Sequence, residues 1–177
     1  LKEAVELYET GLKIAPEIYF FHEQLAGLYN LQGDQKKAIK EMEVLTKSRK
    51  FYQDFLKLGI LQFSHGDAKK AQQSFETAIK IDNEQWESYY NLAELHQSLD
   101  QIKEAETAYI KATELSNEQD FRPFNGYGLL LIKRKQLEKA RQFLNRAKEI
   151  NPDAIETDVN MILLEFQSGN KKKAEIL

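Results

Sequence analysis

Three histidines are the residues best suited by type to acid–base chemistry or metal binding, but their spacing favours neither. His22, His65 and His96 fall in separate stretches of the chain, and none belongs to a metal-ligand pattern such as HExxH. His22 and His96 stand at apolar positions of helical patterns, and His65 precedes Gly66. We therefore predict packing or capping roles for all three, and no metal site.

Motifs for nucleophilic catalysis or phosphate binding are also missing from the sequence. It has no GxSxG, no serine–histidine–acid arrangement and no glycine-rich phosphate loop. Gly126-Tyr127-Gly128 fits a pair of small residues at a packing position of a helix better than a nucleotide loop. Carboxylates are numerous, as expected for the solvent faces of helices. We predict that the protein is not an enzyme and that it binds no cofactor.

Composition indicates a globular chain without disulfides. Of 177 residues, 42% are hydrophobic and 30% are charged, and cysteine is absent. The formal net charge is −3, with an acidic excess before residue 121 and a basic excess after it. This balance and the lack of a long apolar run predict neither nucleic-acid binding nor membrane insertion. Because Leu1 already lies in an amphipathic pattern, we expect a piece of a longer chain. No compartment is assigned, and the cytoplasm is only the default expectation.

Alanines mark an internal repeat. They recur every 33–35 residues, at Ala4, Ala38, Ala71, Ala105, Ala140 and Ala174. Four residues after the first five of them comes a larger apolar residue: Tyr8, Met42, Phe75, Tyr109 and Leu144. In three repeats a further alanine follows three residues later, at Ala78, Ala112 and Ala147. This spacing defines one face of an α-helix, and its small residues allow a neighbouring helix to approach closely.

A second helical pattern precedes each alanine phrase, and short breaks separate the two helices. Three breaks contain glycine, namely Gly33-Asp34, Gly66-Asp67 and Gly169-Asn170. Glycine supplies the left-handed conformation that ends a helix, and Asp or Asn then caps the next one. The breaks at Leu99-Asp100-Gln101 and Lys135-Gln136 lack glycine, so we expect these turns to be less sharply specified.

The pattern predicts a single array of antiparallel helical hairpins over residues 1–177. Its parts are a partial repeat, four full repeats and a second partial repeat: 1–16, 19–51, 52–85, 86–120, 121–154 and 155–177. Residues Phe55, Leu58, Gly59, Ala71, Phe75 and Ala78, like their counterparts from Tyr89 to Ala112, resemble the tetratricopeptide repeat. The resemblance covers nearly the whole chain. It implies an all-α, right-handed superhelical solenoid.

This resemblance also implies a location for the binding surface, because the first helix of each hairpin lines the concave groove in that family. Candidate groove residues follow by position in each hairpin. They are Phe20, Glu23, Gly27 and Asn30; Gln53, Leu56, Ile60 and Phe63; Glu87, Tyr90, Glu94 and Gln97; and Arg122, Asn125, Leu129 and Ile132.

The second full hairpin is the most informative one. Leu56, Ile60 and Phe63 form an apolar stripe on a face other than the core face. A helix that is apolar on two faces is expected to be buried on both. The stripe either receives a helix or extended segment of a partner, or is buried by tight superhelical curvature.

The fourth full hairpin offers polar recognition. Arg122 and Asn125, beside Leu129, could hold a carboxylate or a backbone amide, or could simply be solvated. The family's lysine–asparagine carboxylate clamp is missing, because Glu23, Gly27, Leu56 and Ile60 stand at the corresponding positions.

From these features we predict a protein-interaction scaffold or adaptor that binds a peptide or helix of a partner in the groove. The predicted binding residues are Leu56, Ile60, Phe63, Tyr90, Glu94, Gln97, Arg122, Asn125 and Leu129. An alternative is a structural segment of a larger assembly that self-associates through exposed end helices. The sequence does not identify the partner.

Overall fold

The computed structural model describes residues 1–170, which form ten α-helices and no β-strand. The prediction of an all-α fold built from helical hairpins is therefore confirmed. The chain divides into two compact units, unit 1 (Leu1–Asn83) and unit 2 (Glu84–Leu177). Ala174, the last of the repeated alanines, lies outside the described residues. The division into partial and full repeats stays a prediction.

Unit 1 contains five helices: α1 (Lys2–Ile14), α2 (Tyr19–Leu31), α3 (Gln35–Ser48), α4 (Tyr52–Ser64) and α5 (Ala68–Ile81). Each packs against the next, and α2–α3 and α4–α5 are hairpins. The core lies between them and includes Leu25, Tyr29, Met42 and Leu45. The helices form because their apolar residues recur at helical spacing and are buried only when hairpins stack.

Unit 2 contains another five helices: α6 (Trp86–Ser98), α7 (Ile102–Leu115), α8 (Arg122–Lys133), α9 (Leu137–Ile150) and α10 (Ile155–Gln167). The hairpins are α6–α7 and α8–α9, and α10 packs against both α8 and α9. The core includes Tyr109, Tyr127, Leu131 and Leu144. We call α2, α4, α6, α8 and α10 the first helices.

Close contact within a hairpin depends on small residues in the first helix. A Cβ atom placed on Gly59 would lie 2.5 Å from Phe75 Cε1, and one on Gly128 would lie 2.7 Å from Leu144 Cδ2. Gly126 is constrained by the preceding hairpin instead, since its Cβ would lie 2.7 Å from Cε1 of Tyr109 on α7. The packing role predicted for Gly126 and Gly128 is thus confirmed.

The turns inside the hairpins share one conformation, whether or not they contain glycine. Gly33 and Gly66 have φ values of 78° and 90°, and Asp100 and Lys135 have values of 58° and 59°. The hydrogen bonds also repeat, for example Asp34 N to Tyr29 O and Gln136 N to Leu131 O, both at 2.9 Å. The expectation of less sharply specified turns at Asp100 and Lys135 is therefore wrong. The backbone bonds impose the left-handed residue even where its side chain disfavours it.

The predicted acidic caps are found in one of the two described cases. The Asp34 carboxylate accepts a hydrogen bond from Lys37 N at 3.2 Å and so caps α3. Asp67 makes no such bond at the start of α5, so its predicted cap is wrong. Its carboxylate lies instead 3.9 Å from Lys70 Nζ.

Candidate binding site on the first helices

The apolar stripe of α4 is only partly buried. Ile60 is 40% exposed, whereas Leu56 and Phe63 are half-buried. Ile60 is therefore the residue of this stripe that is most accessible to a partner. It lies beside an open pocket that belongs to unit 1 alone.

This pocket, which we call the α2–α4 pocket, has a volume of about 240 Å³. Buried Ala26, Met42 and Leu61 line it, together with Ile60. Its polar residues are Glu23, Asn30 and Lys57, and Gly27 also lines it. The structure thus brings predicted groove residues of two successive hairpins together around an apolar cavity.

An ion network borders the α2–α4 pocket and ties α2 to the start of α4. Lys57 Nζ lies 2.7 Å from Glu23 Oε1, and Arg49 Nη2 lies 3.1 Å from Glu23 Oε2. Arg49 Nε also donates to the buried Asp54 carboxylate at 2.6 Å. Hydrogen bonds from Lys57 and then Arg49 lower the pKa of Glu23. Glu23 is therefore ionised and paired, so this edge of the pocket carries no uncompensated charge.

On the first helices of unit 2, the site is aromatic and partly desolvated. Tyr90 Oη donates to Glu94 Oε1 at 2.7 Å. The Tyr90 ring packs edge-on against Trp86 and Tyr109, with centroid distances of 6.1 and 6.0 Å. Burial raises the pKa values of both Tyr90 and Glu94. Glu94 is thus a carboxylate held in an apolar setting, with the Tyr90 hydroxyl as its donor.

Arg122 stands over this aromatic group but already binds a carboxylate of its own chain. Its guanidinium lies 4.7 Å from the centre of the Trp86 ring. It also donates to both oxygens of Asp120, at 2.9 and 2.7 Å. Burial alone would raise the pKa of Asp120, but the hydrogen bonds from Arg122 outweigh it and lower that pKa. A partner's carboxylate would have to displace Asp120 from the two guanidinium donors of Arg122, which we call the Arg122 fork.

Comparison with known proteins identifies the repeat. Two family models described as tetratricopeptide repeat match residues 62–121 and 95–155, which together span more than half of the chain. The chain belongs to the tetratricopeptide repeat family. No curated protein is similar enough in sequence to count as a match.

Solved structures of other tetratricopeptide-type folds resemble the chain at low sequence identity. BtubC from P. vanneervenii has a TM-score of 0.78 at 22% identity, covering 99% of this chain and 84% of that one. MamA from Desulfovibrio magneticus RS-1 has a TM-score of 0.75 at 16% identity, covering 90% of each chain. YrrB, described as a tetratricopeptide protein with an unusual peptide-binding site, has a TM-score of 0.68 at 20% identity, covering 96% and 88%. At these identities the likeness establishes the fold alone.

Membership of the tetratricopeptide family makes this chain a protein–protein interaction scaffold. Repeats of this kind are generally non-enzymatic. None of the helices within residues 1–170 is long and apolar enough to cross a membrane.

The remaining predicted site residues of the tetratricopeptide hairpins differ in accessibility. Leu129 is half-buried, and Asn125 Oδ1 accepts from Asn160 Nδ2 at 2.9 Å. Gln97 has a buried Oε1 atom without a hydrogen-bond partner. Ile132 is completely buried in the core of unit 2, so its assignment to the groove is wrong. α8 is buried on more of its faces than we predicted from the position of its residues in the repeat.

Sequence reasoning missed the partners of several site residues. Lys57 directly follows Leu56, and its pairing with Glu23 depends on how the two helices face each other. Asn160 stands 35 residues after Asn125, one repeat later, and that spacing could have indicated the pair. Asp120 precedes α8, and a charge two residues before Arg122 was a usable signal.

Each of the three histidines has a hydrogen-bond partner on a neighbouring helix or turn. His22 Nδ1 lies 2.7 Å from Glu41 Oε2, and His65 Nδ1 lies 3.3 Å from Gln35 Oε1. His96 is buried, and its Nδ1 lies 2.6 Å from Gln101 Oε1 at the following turn. Within residues 1–170, no group of three His, Asp or Glu side chains could hold a metal ion.

Proposed function

We propose that this tetratricopeptide protein binds an extended or helical segment of a partner polypeptide on its first helices. The observation that carries the proposal is the exposed Ile60 beside the open α2–α4 pocket. An accessible apolar side chain next to an apolar cavity with polar edges is typical of a peptide-binding surface. YrrB, which its description credits with a peptide-binding site, adds support by similarity of fold.

The first helices of unit 2 support the same proposal with different chemistry. Trp86, Tyr90 and Arg122 form a layered aromatic and cationic cluster, and Trp, Tyr and Arg are the residues enriched in binding hot spots. Glu94 adds a partly desolvated carboxylate that a donor of the partner could reach. Because the Arg122 fork already holds Asp120, we expect aromatic stacking to contribute more than carboxylate capture.

Affinity capture with matched surface variants tests this proposal. Full-length protein is used to capture partners, and the same capture is repeated with Ile60→Asp and with Leu129→Asp. The controls are Gln73→Asp on α5 and Gln142→Asp on α9, both at exposed positions. These two helices are second helices, the ones that follow a first helix in each hairpin. We expect the first-helix variants to lose a partner that both controls retain. Equal retention by all four variants would contradict the proposal.

Self-association is a second candidate function. α1 carries Leu7 and Ile14 with 68% and 80% of their surfaces exposed, and both are large apolar side chains. A second copy of the chain could cover them. Light scattering over a range of concentrations should then show a dimer that Leu7→Glu returns to the monomer. A monomer at every concentration would rule this function out.

A further inference from the structure

We infer that the α2–α4 pocket is an anchor site that admits one large uncharged side chain, of leucine, methionine or phenylalanine size, from a partner polypeptide. The inference rests on the proposed function and specifies the chemistry of the partner. Its evidence is the glycine at position 27, the size of the pocket and the charge around its edge.

Gly27 has no role in the fold that requires glycine. A Cβ atom there would have no neighbour within 4 Å, and the residue lies in the interior of α2 without a positive φ. Glycine inside a helix costs about 0.5–1 kcal/mol relative to alanine. The other glycines are explained by a positive φ or by a side chain within 3 Å of the added Cβ. What Gly27 does provide is open space at the α2–α4 pocket, which it lines.

The size of the pocket selects its occupant. An apolar cavity of about 150 Å³ is sufficient for benzene, so 240 Å³ accommodates a phenylalanine or leucine side chain. Sites for whole small molecules are usually larger, roughly 300–1,000 Å³. A single side chain supplied by a polypeptide therefore fits better than an independent ligand.

The pocket's polar residues fit an uncharged side chain with a peptide backbone above it. Glu23 is neutralised by Lys57 and Arg49, so a charged anchor would gain no free counter-charge there. Asn30, which is exposed, offers an amide donor and an acceptor for a backbone peptide group. Ala26, Met42 and Leu61 supply an apolar lining that would be dehydrated on binding.

Nuclear magnetic resonance with defined probes tests this assignment. The methyl signals of Ile60, Met42 and Leu61 are followed while N-acetyl-leucinamide, N-acetyl-phenylalaninamide or N-acetyl-glutaminamide is added to the protein. We expect saturable shifts in the millimolar range with the two apolar probes, and much weaker ones with the glutamine probe. Absence of these shifts, or equal shifts with all three probes, would overturn the anchor site.

Two variants make the assignment residue-specific. Gly27→Leu fills the pocket with its own side chain and should abolish the shifts, while Lys36→Leu adds the same side chain at an exposed position of α3 and should retain them. Ile60→Gln, which replaces one apolar residue lining the pocket, provides an independent second variant. If Gly27→Leu and Ile60→Gln both bind the apolar probes like the unmodified protein, the inference is wrong. In partner capture, loss with Ile60→Asp but not with Gly27→Leu would leave the proposed function intact and remove only the anchor site.

Discussion

At the residue scale, the glycines differ in what an added side chain would meet. The Cβ of Gly59 would collide with the Phe75 ring, so this residue is required by packing between α4 and α5. Gly27 faces open space in the middle of α2. Both positions are glycines inside a helix. Replacing each by alanine therefore distinguishes a glycine that packing requires from one that the fold does not need.

We predict opposite stability changes for Gly27→Ala and Gly59→Ala. Gly27→Ala should raise the free energy of unfolding by about 0.5–1 kcal/mol, because alanine favours the helix and meets no neighbour. Gly59→Ala should lower it by about 1–3 kcal/mol, because Phe75 must move. Urea denaturation followed by circular dichroism measures both. A destabilised Gly27→Ala would show that Gly27 has a structural role after all.

Glu94 is a residue for which the structure predicts a pH effect on stability. Burial raises its pKa in the folded state, so folding favours the protonated carboxyl group. The resulting stability is fully present below the unfolded-state pKa and is lost as the pH rises through the folded-state pKa. Glu94→Gln keeps an acceptor for the Tyr90 hydroxyl and removes the charge.

We therefore expect Glu94→Gln to be more stable than the unmodified protein at pH 7, with the difference shrinking towards pH 4. Paired urea denaturation curves at the two pH values provide the measurement. A variant that is less stable at pH 7 would indicate that the ionised carboxylate is the form favoured by the fold.

At the scale of elements, the turns at Asp100 and Lys135 in unit 2 adopt a conformation that their residues disfavour. Lys135 has a φ of 59°, and its amide donates to Ile132 O at 2.9 Å, as glycine amides do in the turns of unit 1. A left-handed residue with a side chain costs about 1–2 kcal/mol relative to its right-handed form. The turn is thus enforced by the hairpin around it.

We predict that Lys135→Gly increases the free energy of unfolding by about 1 kcal/mol. The matched control is Gly66→Ala, which places a side chain on the equivalent residue of unit 1 with a φ of 90° and should destabilise the protein by a similar amount. Thermal or urea unfolding measures the pair. No gain from Lys135→Gly would mean that the lysine side chain is stabilised there by other contacts.

A buried ion pair joins α9 to α10. Arg141 Nη1 donates to the Glu165 carboxylate, which is completely buried and also accepts from Asn170 Nδ2 at 3.0 Å. Replacing Arg141 removes one charge partner of this buried carboxylate, and weakening a buried ion pair from one side is strongly destabilising. Packing of α10 should therefore depend on Arg141.

We expect Arg141→Met to destabilise unit 2 by roughly 3 kcal/mol, and Arg141→Met with Glu165→Leu to recover most of that loss. Urea denaturation of the single and double variants gives both values. A single variant as stable as the unmodified protein would contradict the account of α10.

At the scale of the whole molecule, the helical periodicity of the sequence predicted the helices and their close packing better than it predicted individual side-chain contacts. The alanine spacing anticipated helices and small-residue packing, because both depend on residues close in sequence or one repeat apart. Ala38, Ala71, Ala105 and Ala140 are accordingly all buried. The boundary between units, at Asn83 and Glu84, was not predictable, because the alanine spacing continues across it unchanged.

The candidate site was less predictable than the fold. The repeat position predicted Ile60 and Gly27 as groove residues, and this stays a prediction. It could not show that Lys57 and Arg49 neutralise Glu23, since these contacts join separate helices and a turn. It also assigned Ile132 to the groove, although the packing of α8 buries it. The ion pairs of Glu23 and the burial of Ile132 depend on how neighbouring helices face each other. The sequence of a single repeat does not determine that orientation.

Site-specific crosslinking tests the central claim, that the first helices bind a partner polypeptide, most directly. Because the sequence contains no cysteine, Ile60→Cys on α4 and Gln73→Cys on α5 can each be labelled at one position with a benzophenone maleimide. We predict that irradiation in the presence of captured partners yields a crosslinked polypeptide from position 60 and none from position 73. Crosslinking from position 73 alone would contradict the claim and place binding on the second helices.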